Sequence, residues 1–297
     1  MTATCPLCGK DASFLFRTKD YNRRVTREDF HYYLCGSCNL IFLWPVPNDL
    51  NLYYADQYHV IPSSLAQLSS GAGSERYKID MVKQLVPSGR LLEIGPGCGG
   101  FANIAKQEGF EVEAIEMDAA CCRFLEEVVG IPVIHSADVP RALASASPCD
   151  AIALWHVIEH LPDPWSTLSV AAEKLLPGGI LIVAAPNPDS WQFHVTGRYW
   201  PHIDAPRHLV LIPLTLLAER AHSAGLETIL TTTTDEGSLF WNRFGWQTVL
   251  SNRVSNRYAK TVMHFAGGAL GWMLRPIEGV DGRGSAYTAI FRKKQGK

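Results

Sequence analysis

Leu91-Leu92-Glu93-Ile94-Gly95-Pro96-Gly97-Cys98-Gly99-Gly100 reads as a buried strand, a glycine-rich turn and the start of a helix, in that order. Glycine at 95, 97 and 99 permits a tight turn and lets a ligand come close to the backbone. The spacing is not the GxGxxG of dinucleotide sites. Glu93 stands two residues before Gly95, which makes the pattern ExGxGxG, and no pyrophosphate need be cradled.

Outward from this turn, short apolar runs alternate with helical stretches. Strands are expected at Leu91–Ile94, Val112–Glu116, Pro132–His135, Ala151–Trp155 and Ile180–Ala185, with helices near 100–108, 119–129, 141–146 and 164–176. A further helix over 75–86 precedes them and is stopped by Pro87-Ser88-Gly89; a helix over 214–224 and strands at 226–234 and 285–292 follow. Strands that are apolar on both faces and joined by helices predict a parallel sheet with right-handed crossovers, hence a doubly wound α/β domain. The stretch of about 50 residues over 235–284, rich in Trp, Phe and Arg, is too long for an idle loop and reads as a helical cap inserted before the last strand.

Polar residues collect at the expected strand ends. Glu116, at the tip of the second strand, can accept hydrogen bonds from both ribose hydroxyls of an adenosine, and Met117 can pack on its base. Asp138 follows the third strand, where it either accepts from an adenine amino group or caps the next helix. The fourth strand runs into Trp155-His156-Val157-Ile158-Glu159-His160-Leu161-Pro162-Asp163-Pro164.

At the N-terminus stand two CxxC pairs, Cys5/Cys8 and Cys35/Cys38. Paired knuckles bring four thiolates together for tetrahedral Zn²⁺, with Gly9 turning the backbone after the first. The 26 residues between the knuckles exceed the usual ribbon spacing; strands at 13–17 and 30–34 with a charged excursion between them read as a long hairpin. The other cysteines, Cys98, Cys121, Cys122 and Cys149, lack ligand spacing. The chain therefore divides into a zinc-ribbon module at 1–45, a connector at 46–74 and an α/β domain at 75–297.

In this order, ExGxGxG, Glu116, Asp138, the EHLPDP segment from Glu159 to Pro164 and Leu175-Leu176-Pro177-Gly178-Gly179 resemble the class I S-adenosylmethionine-dependent methyltransferases over roughly residues 75–295. The similarity is to the branch of the ubiquinone-biosynthesis O-methyltransferases. With the ribbon and the stretch Asp204-Ala205-Pro206-Arg207-His208-Leu209, the chain is also similar to zinc-ribbon methyltransferases associated with sugar and surface-polysaccharide modification. The resemblance implies a Rossmann-like seven-stranded sheet and S-adenosylmethionine as cofactor. It implies that Gly95, Gly97 and Gly99 line the methionine and ribose portion, that Glu93 orders the loop, and that Glu116 binds ribose and Asp138 adenine. Trp155 and His156 would lie beside the sulfonium, and Arg76 would reach the cofactor carboxylate. For a hydroxyl acceptor a proton must be removed, and His160, Glu159 and His208 are the candidates.

The expected acceptor is a small molecule or glycan, plausibly a sugar or nucleotide-sugar hydroxyl, met by Trp191, Trp200, His202, Arg207 and His208. Alternatives are RNA read by the ribbon, and a quinone or lipid. The 27 Lys/Arg against 29 Asp/Glu, and six of each sign within residues 1–60, weigh against nucleic acid. The charge is uneven: residues 251–297 hold nine Lys/Arg and two acids, which leaves −9 on the rest of a chain whose total is −2. That basic C-terminal region suits an anionic partner, including peripheral contact with a membrane. No secretory pattern opens the chain, and the longest apolar run, Val262 to Leu274, falls short of the ~20 residues that span a bilayer. A cytoplasmic enzyme is expected, with its cysteines reduced.

Overall fold

A computed structural model describes residues 2–54 and 59–295. They form two compact units. One comprises the chain up to residue 54 with 184–218 and 231–288; the other comprises 59–183, 219–230 and 289–295. These units cut across the division read from sequence, because the N-terminal ribbon shares its sheet and core with segments that come far later in the chain.

The ribbon begins with β1 (Thr2–Thr4), β2 (Asp11–Lys19), β3 (Asp29–Cys35) and β4 (Ile41–Leu43), each antiparallel to the next. The β2 and β3 strands extend beyond the expected 13–17 and 30–34. Their excursion is closed by Asp20, whose carboxylate accepts from the Arg23 and Val25 amides at 3.0 and 2.9 Å. The chain then passes through α1 (Leu65–Gly71) and α2 (Arg76–Leu85).

The α/β alternation follows: β5 (Arg90–Ile94), α3 (Gly100–Gln107), β6 (Glu111–Glu116), α4 (Ala119–Phe124), β7 (Val133–His135), α5 (Val139–Ser145), β8 (Cys149–Trp155), α6 (Pro164–Lys174) and β9 (Leu175–Pro186). In β5 every residue after Arg90 is buried, as a central strand covered on both faces requires. It pairs in parallel with β6 (Leu91 opposite Val112) and with β8 (Leu91 opposite Ala151). Aspartates start three of the helices: Asp118, Asp138 and Asp163 accept from amides in the first turns of α4, α5 and α6.

The chain continues through α7 (Trp191–Thr196), β10 (Val210–Leu211), α8 (Leu214–Ser223), β11 (Leu226–Thr232), α9 (Glu236–Ser251), α10 (Arg257–Met273), α11 (Arg275–Glu278) and β12 (Ala286–Lys293). The sheet order β11-β12-β9-β8-β5-β6-β7 is the seven-stranded α/β arrangement that the sequence predicts. In the other sheet β10 pairs antiparallel with β4, so an edge of the ribbon is covered by residues 210 and 211. Beneath them Tyr32, Leu43, Trp200, Ile203 and Leu211 form one apolar core.

The cap is a hairpin of α9 and α10. Gly267 and Gly271 let the two helices approach closely: a Cβ on Gly267 would lie 2.5 Å from the Trp246 carbonyl oxygen. Its base is fixed by Glu278, whose Oε1 accepts from Trp246 Nε1 at 3.0 Å and from Gln192 Nε2 at 3.4 Å. Burial pushes the Glu278 carboxyl up to about 7. Among the described residues no helix is long and apolar enough to cross a membrane.

Candidate functional site

The glycine loop after β5 has the backbone that its sequence demands. Gly95, Gly97 and Gly99 all take positive φ, at +67°, +57° and +80°. There is no room for side chains: a Cβ on Gly95 would meet Val157 at 2.7 Å, one on Gly97 His59 at 2.9 Å, and one on Gly99 Leu125 at 2.4 Å. Glu116 ties this loop to its own strand tip. Its Oε2 accepts from the Gly97 amide at 2.9 Å, and its Oε1 accepts from the Met117 and Asp118 amides at 2.8 Å each. A carboxylate offers about four lone-pair positions, so capacity for a ligand hydroxyl remains.

Beneath the loop lies Glu93, 4% exposed. Burial raises its carboxyl to about 8, reinforced by Glu75 and Glu116 against the pull of Lys78 and the Ala102 amide. Among the described residues its Oε2 has no hydrogen-bond partner, and neither has the buried indole Nε1 of Trp155. Trp155 is one residue beyond the Ile94–Leu154 register pair, so the two orphaned atoms belong to adjacent strands. The indole packs edge-on against Tyr77 and Phe101, and the Lys78 ammonium lies 4.9 Å from its ring centre while pairing with Glu75. Orphaned polar atoms beside a glycine turn that bares its backbone, with an acidic strand tip next to it, suit an adenosyl and amino-acid ligand, so these residues fit S-adenosylmethionine.

Lys78, Glu75 and Tyr77 were not singled out by the sequence. Arg76 was, and its guanidinium instead pairs with Glu108 at 2.6 Å on the α2 surface. Arg76 and Lys78 flank the buried face of Ile79 and Val82 from opposite sides, so helical phase alone does not choose between them. Asp138 caps α5 through Oδ1, which accepts from the Arg141 amide at 3.2 Å. Met117 is 44% exposed at the β6 tip. His156 also takes positive φ (+58°), uncommon outside glycine, and its Nδ1 is 3.6 Å from Glu159 Oε1. Glu159 is buried, and His160 ends the short 3₁₀ turn Ile158–His160.

In the other unit, His208 Nδ1 is 2.8 Å from the His202 carbonyl oxygen. A carbonyl only accepts, so Nδ1 carries the proton and a neutral ring has its basic lone pair on Nε2. Of the residues expected to face a sugar, Trp191 is half-buried and Trp200, His202 and Arg207 are interior. Trp200 is 2% exposed and donates to Gln192 Oε1 at 3.0 Å; Arg207 is fully buried and His202 is 5% exposed. Arg207 grips Asp20 at 2.7 Å and Asp204 at 2.8 Å, so its charge is spent inside the fold. Burying the aromatic rings in the ribbon core is worth more than offering them to water.

The four ribbon cysteines come together as their spacing predicts. Cys5 and Cys38 sulfurs are 3.7 Å apart, Cys8 and Cys35 3.5 Å, and all four lie within 4.8 Å of one another. Four sulfurs at ~2.3 Å from a tetrahedral Zn²⁺ are roughly 3.8 Å apart, so the donor set fits that ion. The two knuckles repeat one another. Gly9 and Asn39, both at positive φ, donate back to the Cys5 and Cys35 carbonyls, while Cys5 and Cys35 donate to the Lys10 and Leu40 carbonyls. Burial would raise the Cys35 thiol, but the Ser37 and Cys38 amides and the neighbouring sulfurs outweigh it and bring it to about 7.

Residues 73–231, more than half of the chain, match the family model described as a methyltransferase domain. The ubiquinone biosynthesis O-methyltransferase of Paramagnetospirillum magneticum is 30% identical over 112 residues, 36% of this chain and 45% of that protein. The protein of that name from Ruegeria pomeroyi is 29% identical over 175 residues, 55% of this chain and 68% of that protein. The chain thus matches about half to two thirds of these relatives' length. A solved S-adenosylmethionine-dependent methyltransferase from Archaeoglobus fulgidus has the same fold, with a TM-score of 0.50 at 18% identity, covering 74% of this chain and 95% of that one.

Proposed function

We propose that this chain, which belongs to the class I S-adenosylmethionine-dependent methyltransferase family, transfers a methyl group to a hydroxyl of a small-molecule acceptor. The observation that carries the reading is the walled glycine loop bound to Glu116, with the orphaned Glu93 oxygen behind it. Bound there, the cofactor supplies a methyl group already activated by its sulfonium. The chain's part is to align the acceptor and take its proton. Gly95, Gly97, Gly99 and Glu116 shape the cofactor cradle, with Trp155, Lys78 and His156 at its strand-end rim. His160, beside Glu159 in the 3₁₀ turn, and His208, whose Nδ1 is held by the His202 carbonyl, are the candidate bases.

For the acceptor, the sugar, nucleotide-sugar or glycan hydroxyl suggested by sequence cannot meet Trp200 or Arg207, which are buried, and is left with Trp191. A phenolic hydroxyl on a molecule with an apolar tail is the second reading, favoured by the relatives named for ubiquinone biosynthesis. The test supplies the purified protein with methyl-labelled S-adenosylmethionine and a fractionated bacterial extract, using Gly97→Arg as the blank. Label in the glycan or sugar pool supports the first acceptor, and label in the lipid pool the second. Label in RNA overturns both.

The ribbon cysteines are proposed to hold structural Zn²⁺. The purified protein should contain about one zinc per chain, and Cys35→Ser should lose it along with much of the ribbon's stability. A full complement of zinc in that variant would sink the assignment.

A further inference from the structure

The cap hairpin has one face that the fold uses and one that it leaves to solvent. On α10 the first is the glycine face packed on α9. The second carries Tyr258, Val262, Phe265 and Trp272, spaced by four, three and seven residues, with Met273 beside them. These side chains are 82, 62, 70, 69 and 61% exposed, and Phe240 of α9 is 60% exposed. An apolar stripe at helical phase, roughly 20 Å long, is not the scattered exposure usual on a soluble surface.

Beside it lies a cavity of about 520 Å³ between α9 and α10, lined by Leu239, Phe240, Arg243, Phe265, Trp272 and Arg275. Charge identifies what covers the face. From Glu236 to Glu278 the hairpin has five cations, Arg243, Arg253, Arg257, Lys260 and Arg275, against those two acids, of which Glu236 lines the cavity and Glu278 is buried against Trp246. Four of these cations are exposed. A second copy paired about a twofold axis would set this cationic surface against itself. The basic residues at the chain end are partly engaged elsewhere: Lys293 donates to the Glu173 and Leu175 carbonyls, and Lys294 pairs with Glu227.

We infer that the α9–α10 hairpin is an interfacial docking element for an anionic phospholipid bilayer, with Tyr258, Val262, Phe265 and Trp272 entering the headgroup boundary and the arginines meeting lipid phosphates. Aromatic and apolar residues on one helix face, flanked by cations, are the composition that lies in an interface and does not span it. The inference does not depend on which hydroxyl accepts the methyl group.

The experiment is co-sedimentation of the full chain with phosphatidylcholine vesicles, with and without about 30 mol% phosphatidylglycerol. The expected result is binding to the anionic vesicles only, weakened by salt. Phe265→Ser/Trp272→Ser should lower the partition coefficient about ten-fold or more, while far-UV circular dichroism and S-adenosylhomocysteine affinity stay unchanged. Lys293→Gln/Lys294→Gln should bind vesicles like the parent. Three outcomes overturn the inference: no binding to anionic vesicles, equal binding by the hairpin variant, or loss of binding only in the tail variant. A dimer that the hairpin variant dissociates, with no vesicle binding by the parent, would assign the face to a second copy instead.

Discussion

Asp204 is a mostly buried carboxyl group and Glu93 a buried one, and the chain treats them in opposite ways. Asp204 accepts from Arg207 and from Asn22, and Arg207 also reaches the fully buried Asp20. Burial alone would raise the Asp204 carboxyl, but Arg207, His208 and Asn22 overcome that and hold it well below its ordinary range. Glu93 has an acceptor atom with no donor and is pushed up to about 8. The Arg207 cluster is scaffold: its ion pairs join the ribbon excursion at Asp20 to the turn at 204–207. The Glu93 oxygen has no such partner among the described residues and lies beside the glycine loop, where a ligand is proposed to bind.

The largest effect should come from breaking the Arg207 cluster. Arg207→Met leaves Asp20 and Asp204 buried without their cation and should cost ~3–5 kcal/mol in chemical denaturation. A loss under 1 kcal/mol would mean that the cluster is solvated and the contrast is false. Acid should reveal the same cluster. Because the folded carboxyl of Asp204 is depressed, its contribution is complete above the ordinary carboxylate pKa of ~3.9 and is lost as pH falls toward the folded value. Asp204→Asn should flatten that part of the stability profile.

Glu93 predicts the opposite slope. Its folded carboxyl is raised from 4.5 to about 8, so the unfolded chain releases the proton first and stability declines as pH rises through that window. Glu93→Gln should abolish the decline, gaining ~1–3 kcal/mol on the parent by pH 8, yet bind S-adenosylhomocysteine about ten-fold more weakly if the oxygen serves a ligand. A variant that is both more stable and equally tight would remove Glu93 from the site. The smallest effect separates two roles of Asp138. As the cap of α5, its replacement by Ala should cost ~1 kcal/mol and leave cofactor affinity alone; a marked loss of affinity would restore the adenine contact.

What could be read in advance follows the reach of each interaction. The glycine loop, the Glu116 tip and the two cysteine knuckles close their hydrogen bonds within about twenty residues, as Gly97 to Glu116 and Gly9 to Cys5 show. The bond from Arg207 to Asp20 joins residues 187 positions apart, and nothing near Asp20 announces its partner. For the same reason Arg207 and Trp200 looked like an acceptor surface: charge and aromaticity are visible in a sequence, and burial is not. Lys78 was missed for Arg76 because both flank the buried face of α2 and helical phase alone does not choose between them.

By itself, then, the sequence determined the order of strands and helices in the α/β domain, the glycine turn with its acidic strand tip, and the grouping of four cysteines, because periodicity and local backbone conformation are written in neighbouring residues. Only the tertiary structure decided that Trp200, His202 and Arg207 are interior, that β10 completes the ribbon sheet, and that one apolar face of α10 stays in water. Those outcomes depend on which surfaces meet when distant segments pack, and that competition for burial is settled by the whole chain at once.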